Sequence, residues 1–138
     1  MTTQRVFVDA SGRIRRNKKE FKIAVVFPHR KPKTFTYYDN FGNTNEAEMM
    51  ACVKAVQWAD INDTFDIFTD SQSAENTLIY GLSRNMRQNK IKELFEKAIV
   101  DRNLDVTVTW IPRAGNKADA PSKIQKWDKF KHKLDLWN

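Results

Sequence analysis

The sequence is poor in cysteine: Cys52 is the single one in 138 residues. A lone thiol cannot close an internal disulfide, so a reducing cytoplasm or nucleoid is the expected setting. Long apolar runs are also missing, and nothing approaches the ~20 residues that cross a bilayer. Met1 to Arg5 is short and polar. It has neither the charged start, the apolar middle nor the small-residue cleavage site of a secretory leader. Glycine and proline are scarce, at four each. No Pro/Gly/Ser-rich linker, internal repeat or low-complexity tract divides the chain, and its length fits one compact domain, 1–138, better than two. Acidic residues are outnumbered, 17 Asp+Glu against 24 Lys+Arg, for a net charge of +7. A small basic domain attracts polyanions, and nucleic acid is the commonest of these, although many basic proteins bind nothing in particular. The hydrophobic share is 41%, enough for a real core and far from a disordered composition.

The chain opens with β patterning. Arg5 to Asp9 is a short β-rich run with Ser11-Gly12 as a turn, and Arg13 to Lys19 is expected to be an exposed basic hairpin loop. Phe21 to Phe27 alternates Phe21, Ile23, Val25 and Phe27 on one face of a strand, and Thr34 to Tyr38 forms a third. Helical spacing then takes over. Thr44 or Asn45 can cap a helix with Glu48 in its first turn, followed by Ala47, Met50, Ala51, Ala55 and Trp58 on one side. A strand over Phe65 to Thr69 leads into a helix from about Ser71 to Tyr80. Arg84 to Lys90 reads as a polar connection, Ile91 to Val100 as an amphipathic helix and Leu104 to Ile111 as a strand. A last helix is expected from Asp119 towards the end, with Pro121 confined to its first turn. The order β-β-β-α-β-α-α-β-α implies one mixed sheet with helices packed on it.

Four acids stand where such a fold places functional groups. Asp9 and Asp70 are expected at the carboxyl ends of the first and fourth strands, where sites form in open α/β sheets. If those strands are neighbours, the two acids face each other. Glu48, on the buried side of the first helix, can reach the same spot, and Asp119 can close the cluster. Clustered carboxylates stay ionised only when cations neutralise them. Hard oxygen ligands select Mg²⁺ or Mn²⁺ over zinc, and two such ions ~3.5–4 Å apart assist phosphodiester hydrolysis. Each acid also has an ordinary reading: a turn or cap for Asp70, a helix-dipole residue for Glu48, an N-cap for Asp119.

Four segments, in order, resemble the ribonuclease H family, type 1: VFVDASG (Val6 to Gly12), NTNEAEMMACVKAV (Asn43 to Val56), FTDSQSA (Phe68 to Ala74) and WIPRAGNKADAPS (Trp110 to Ser122). The second segment selects Glu48 rather than Glu46, and the N-x-x-A-D run places the fourth acid at Asp119. The resemblance implies a five-stranded mixed sheet in the order 3-2-1-4-5, two Mg²⁺ ions, with Mn²⁺ as the other candidate, and hydrolysis of the RNA strand of an RNA–DNA hybrid by Asp9, Glu48, Asp70 and Asp119. It further implies that Asn45 and Gln72 contact the minor groove, where the 2′-OH marks RNA. Ser11, Asn43, Thr44 and Asn116 are further candidates for substrate contact.

The chain departs from the family pattern in two places. Many members carry a mobile His in a glycine-rich loop before the last helix. Here the histidines are His29 and His132, and the loop reads Pro112-Arg113-Ala114-Gly115-Asn116, so Arg113 is the candidate for a phosphate contact, with a solvated loop Arg as the ordinary reading. The basic handle of some members is reduced to Arg84, Arg87, Lys90 and Lys92. Affinity then falls to the Arg13–Lys19 stretch or to the C-terminal lysines Lys123, Lys126, Lys129, Lys131 and Lys133. Beside those lysines, Ile124, Trp127, Phe130, Leu134 and Trp137 form an apolar stripe that reads as core. Two other readings remain open: a junction or DNA nuclease of the same fold, and a nucleic-acid-binding module with a weak site. A monomer acting on RNA primers or R-loops follows by analogy alone.

Overall fold

A computed structural model describes residues 3–27, 30–40, 42–81, 85–123 and 131–137. The elements are β1 (Gln4–Arg15), β2 (Lys18–Val26), β3 (Lys33–Tyr38), α1 (Thr44–Trp58), β4 (Thr64–Thr69), α2 (Gln72–Tyr80), α3 (Met86–Asp101), β5 (Asp105–Trp110), a 3₁₀ turn (Arg113–Gly115), α4 (Asp119–Ser122) and β6 (His132–Lys133). They build one sheet in the order β5-β4-β1-β2-β3-β6. The expected order 3-2-1-4-5 is there, extended by a sixth strand. β1, β2 and β3 form the antiparallel meander, while β4 joins β1 and β5 joins β4 in parallel.

The core follows from the alternation along each strand. Val6, Val8, Ile23, Val25, Phe65 and Ile67 are fully or almost fully buried. Each such side chain contributes roughly 1.5–3 kcal/mol by leaving water. α1 lies across these residues and is buried without a break from Glu46 to Val53. A helix buried nearly all round belongs in the middle of a structure, and α1 has β1, β2, α2 and α3 as neighbours.

Several boundaries differ from the sequence reading. Ser11-Gly12 is not a turn, and Asp9 does not end its strand: β1 runs on to Arg15, paired with β2 to the last rung, Arg15↔Lys18. The hairpin closes in two residues, Arg16 (φ 52°) and Asn17 (φ 64°). Such left-handed turns match strand twist. Asparagine tolerates that conformation, but an arginine there costs about 1 kcal/mol. The basic stretch looked like a loop because this part of the hairpin has few residues to bury.

The α1 cap is Asn43, not Thr44 or Asn45, because Glu46 completes a capping box with it. Glu48 therefore lies in the second turn. α3 starts at Met86, capped by Asn85, inside the expected connection. Ala118 takes the N-cap position of α4 without a side-chain capping bond, so Asp119 is the first helical residue and not the cap. The expected long last helix is overturned as well. α4 ends at Ser122, and His132–Lys133 is a strand alongside β3. Its hold comes from residues far back in the chain, with His132 stacked on Phe35 at 4.9 Å and Lys131 Nζ 2.7 Å from Glu20 Oε1. Of the expected stripe, Leu134 is half-buried and Trp137 exposed, while Ile124, Trp127 and Phe130 lie outside the described residues.

Candidate active site

The site forms where β1 loses a neighbour. Parallel pairing of β1 with β4 stops at Phe7↔Phe68, while its antiparallel pairing with β2 continues. Asp9 therefore sits in mid-strand but beside an opening, and Asp70 follows the last residue of β4. Backbone hydrogen bonds to the flanking strand fix Asp9, and α2 is capped by Ser71, whose Oγ accepts from Ala74 N at 3.1 Å, which fixes the turn carrying Asp70. Carboxylate oxygens of Asp9, Asp70 and Asp119 lie within 4.8 Å of one another. Glu48 reaches this group from α1 and shares a hydrogen bond with Asp9.

Polar neighbours orient the acids. Asn116 is buried; its Nδ2 donates to Asp70 Oδ2 at 3.2 Å and to the Val8 carbonyl at 2.9 Å, while its Oδ1 accepts from Ala118 N. Ser122 Oγ donates to Asp9 Oδ2 at 2.9 Å and shares that proton with the Asp119 carbonyl at 2.8 Å. Trp110 Nε1 donates to the Asp70 carbonyl at 3.1 Å. Lys123 Nζ stands 3.1 Å from Asp119 Oδ1, so this corner already holds a positive charge.

Crowding and burial disfavour the charged forms of these acids. Burial first, then the charge of Asp70, pushes the Asp9 carboxyl up to about 6. Burial, then Asp9 and Asp70, pushes Glu48 up to about 10. Glu48 Oε2 is buried without a hydrogen-bond partner. An orphaned buried oxygen beside three converging carboxylates, all hard donors, fits a divalent cation such as Mg²⁺ or Mn²⁺ and does not fit a soft metal.

Glu46, the other acid of the helix, is spent elsewhere. It bonds the Asn43 backbone and the Arg87 guanidinium. The expected substrate residues lie on several elements. Thr44 is exposed and Asn45 half-buried at the start of α1, and Gln72 is exposed at the start of α2. Asn43 Oδ1 accepts the Glu46 N–H, and Asn45 Oδ1 is buried without a partner. Ser11 Oγ donates to the Ser122 carbonyl. Arg113 is exposed in the 3₁₀ turn. Ser122 and Trp110 were not singled out as site residues in the sequence, and Lys123 was read only as one of the C-terminal basic residues and not as the partner of Asp119. No spacing rule could have found Ser122, whose bond to Asp9 spans 113 residues.

This sheet and its helices have the RNase H-like architecture. The chain belongs to the RNase H family, whose profile matches residues 1–119. It is a family of nucleic-acid-binding hydrolases, endonucleases of the ribonuclease H kind. No curated protein matches the sequence significantly. Among solved structures, RNase H1 from the halophilic archaeon Halobacterium salinarum NRC-1 is similar, with TM-score 0.64 and 19% identity over 86% of this chain and 93% of that one. The N-terminal RNase H domain of rv2228c from Mycobacterium tuberculosis, solved as a maltose-binding-protein fusion, gives 0.62 and 16% over 86% and 90%. At these identities the likeness speaks for the fold.

Proposed function

We propose that this chain hydrolyses the RNA strand of RNA–DNA hybrids, with Asp9, Glu48, Asp70 and Asp119 as the ligands of two divalent cations, Mg²⁺ or Mn²⁺. The observation that carries this reading is the convergence of three carboxylates at the β1–β4 opening, with the unpartnered Glu48 oxygen beside them. When bound, such ions stabilise charge on phosphate oxygens and ready a water for attack.

The remaining work falls to the chain itself. Ser122 and Asn116 hold Asp9 and Asp70 in place, so the ligand geometry exists before substrate arrives. Glu48, hydrogen-bonded to Asp9, would hold a cation through its ionised carboxylate. Asn45 and Gln72 lie in the first turns of α1 and α2, whose N-termini face developing negative charge favourably. From there they are placed to read the minor groove and its 2′-OH. Thr44 and Arg113 supply further polar contact, whereas Asn116 and Ser11, tied to protein atoms, act by positioning. We extend the reading to a monomeric single domain in a reducing cytoplasm. In support, Cys52 is free and buried, and among the described residues no helix is long and apolar enough to cross a membrane.

The test is cleavage of labelled RNA–DNA hybrid, double-stranded RNA, double-stranded DNA and a four-way junction, with and without Mg²⁺ or Mn²⁺. Cutting confined to the RNA strand of the hybrid, and lost in Asp70→Asn, is the expected result. Equal cutting of DNA, or binding without cutting in either metal, overturns it.

A further inference from the structure

The four site acids do not share positive charge evenly. Among the described residues Asp119 alone of the four pairs with a cation: Lys123 Nζ stands 3.1 Å from its Oδ1. Asp119 also belongs to the trio, with Asp9 and Asp70, whose carboxylate oxygens lie within 4.8 Å of one another.

The pair is close in charge but poorly bonded. Asp119 Oδ1 is buried and accepts no hydrogen bond. The Lys123 ammonium donates instead to Oδ2 at 3.4 Å, near the outer limit of a hydrogen bond. It therefore supplies charge to Asp119 and leaves a buried oxygen for a better-aimed ligand. The Lys123 side chain is 54% exposed, and an exposed pair of this kind shifts an equilibrium by up to about fivefold. A divalent cation held by hard oxygens can displace it.

The backbone beneath the ammonium is fixed. Lys123 N donates to the Ala120 carbonyl at 3.1 Å, and the preceding residue, Ser122, is fully buried with its Oγ on Asp9. The side chain is what can move, and lysine suits that task as a compact point charge on a flexible stem. Lys117 gives the contrast. It is exposed as well, but its Nζ lies 5.3 Å from the Phe7 ring centroid and pairs with no acid among the described residues.

We propose that Lys123 is the resident counter-ion of Asp119 and competes with the divalent cation for that carboxylate. This rests on the reading of the four acids as a cation site. An ammonium and a divalent cation repel each other and need the same oxygens, so one leaves when the other binds. Lys123 thus weakens cation binding at Asp119 and leaves it unhindered at Asp9, Glu48 and Asp70. The Asp119 side fills last, and Lys123 sets the cation concentration at which the site is complete.

The experiment is calorimetric titration of the whole chain with Mn²⁺, without nucleic acid, alongside the Mn²⁺ dependence of hybrid cleavage. Lys123→Met keeps the stem and removes the charge. The expected result is a Kd for the weakest-bound Mn²⁺ lower by about two- to fivefold, with the half-maximal Mn²⁺ concentration for cleavage falling by the same factor. Lys117→Met removes an equal charge nearby and should leave both values unchanged. In an Asp119→Asn background, Lys123→Met should have no effect, because the competition needs the carboxylate. An effect that survives Asp119→Asn, or that Lys117→Met matches, overturns the proposal. So does weaker Mn²⁺ binding in Lys123→Met, which would make the lysine a positioning group for Asp119. Mn²⁺ bound equally by wild type and Lys123→Met sinks this proposal alone, whereas no Mn²⁺ bound by either sinks the cation site with it.

Discussion

At the scale of single residues, the site trades stability for readiness. Glu48 is placed where its charged form is disfavoured by burial and by Asp9 and Asp70. Its pKa rises on folding, so the folded state binds a proton that the unfolded chain releases more readily. Glu48 therefore favours the fold fully below about 4.5, and that contribution is lost as the pH rises towards about 10. Asp9 acts in the same sense between 3.8 and about 6. In chelator, wild type should lose stability from pH 5 to pH 8, and Glu48→Gln, permanently neutral, should be more stable at pH 8 by roughly 1–3 kcal/mol. The difference should close near pH 4, and Mg²⁺ should raise the Tm of wild type at pH 8 more than that of the variant. Thermal melts across that range check this; parallel pH profiles for the two proteins would remove Glu48 from the cation site. The acids themselves were legible because Asp, Glu and their neighbours carry a local motif. Asn116 and Ser122 were not legible as positioning groups, because their partners lie 46 and 113 residues away and the sheet alone brings them together.

At the scale of elements, one ionic knot holds the turn that leads into α1. Arg87, at the start of α3, pairs with Glu46 in the first turn of α1 at 3.0 Å and with Asp39 after β3. Asp39 and Glu46 are almost completely buried. Burial alone would make Arg87 easier to deprotonate, but these two carboxylates outweigh it and hold the guanidinium firmly charged. Glu46 also closes the capping box with Asn43, so the knot fixes the chain just before Thr44 and Asn45. Removing the cation leaves two carboxylates without their central partner. Arg87→Met should cost about 3 kcal/mol, read as a lower denaturant midpoint at unchanged m-value. A loss below 1 kcal/mol would mean that water or other groups already satisfy the two acids. The knot explains a gap in the sequence reading. Periodicity found α1 and α3 as separate amphipathic helices, but nothing local in Arg84 to Lys90 reveals that Arg87 serves α1. The strands were easier, since alternation in Phe21 to Phe27 and Val106 to Trp110 survives any context. The hairpin tip failed the same test because β1 and β2 continue there without a buried face.

At the scale of the whole molecule, the fold outlasts its family match. That match ends at residue 119. Beyond it, Ser122 reaches back to Asp9, Lys131 pairs with Glu20, β6 adds the sixth strand and Leu136 is buried. Helical spacing misled the reading at Leu134, which follows a strand and not a helix. A two-residue strand has no period to detect, and its support comes from Phe35 and Glu20, which are distant in sequence. Glu20 shows what this segment contributes. Burial would raise its pKa, yet Lys131 and then Arg13 bring it below the usual range. Lys131 is thus a structural charge and not part of a free basic track. Ending the chain after residue 130 removes Lys131, β6 and the buried Leu136 while keeping Asp9, Glu48, Asp70, Asp119 and Ser122. The loss should be about 3 kcal/mol, mostly Leu136 burial and the Glu20 pair, which lowers Tm by roughly 10 °C. Below its new melting temperature the shortened chain should still cut hybrid, because the site needs β1, α1, β4 and α4 and not the sixth strand. Differential scanning calorimetry paired with the cleavage assay checks both halves. A folded but inactive truncation would show that the sixth strand shapes the acid cluster.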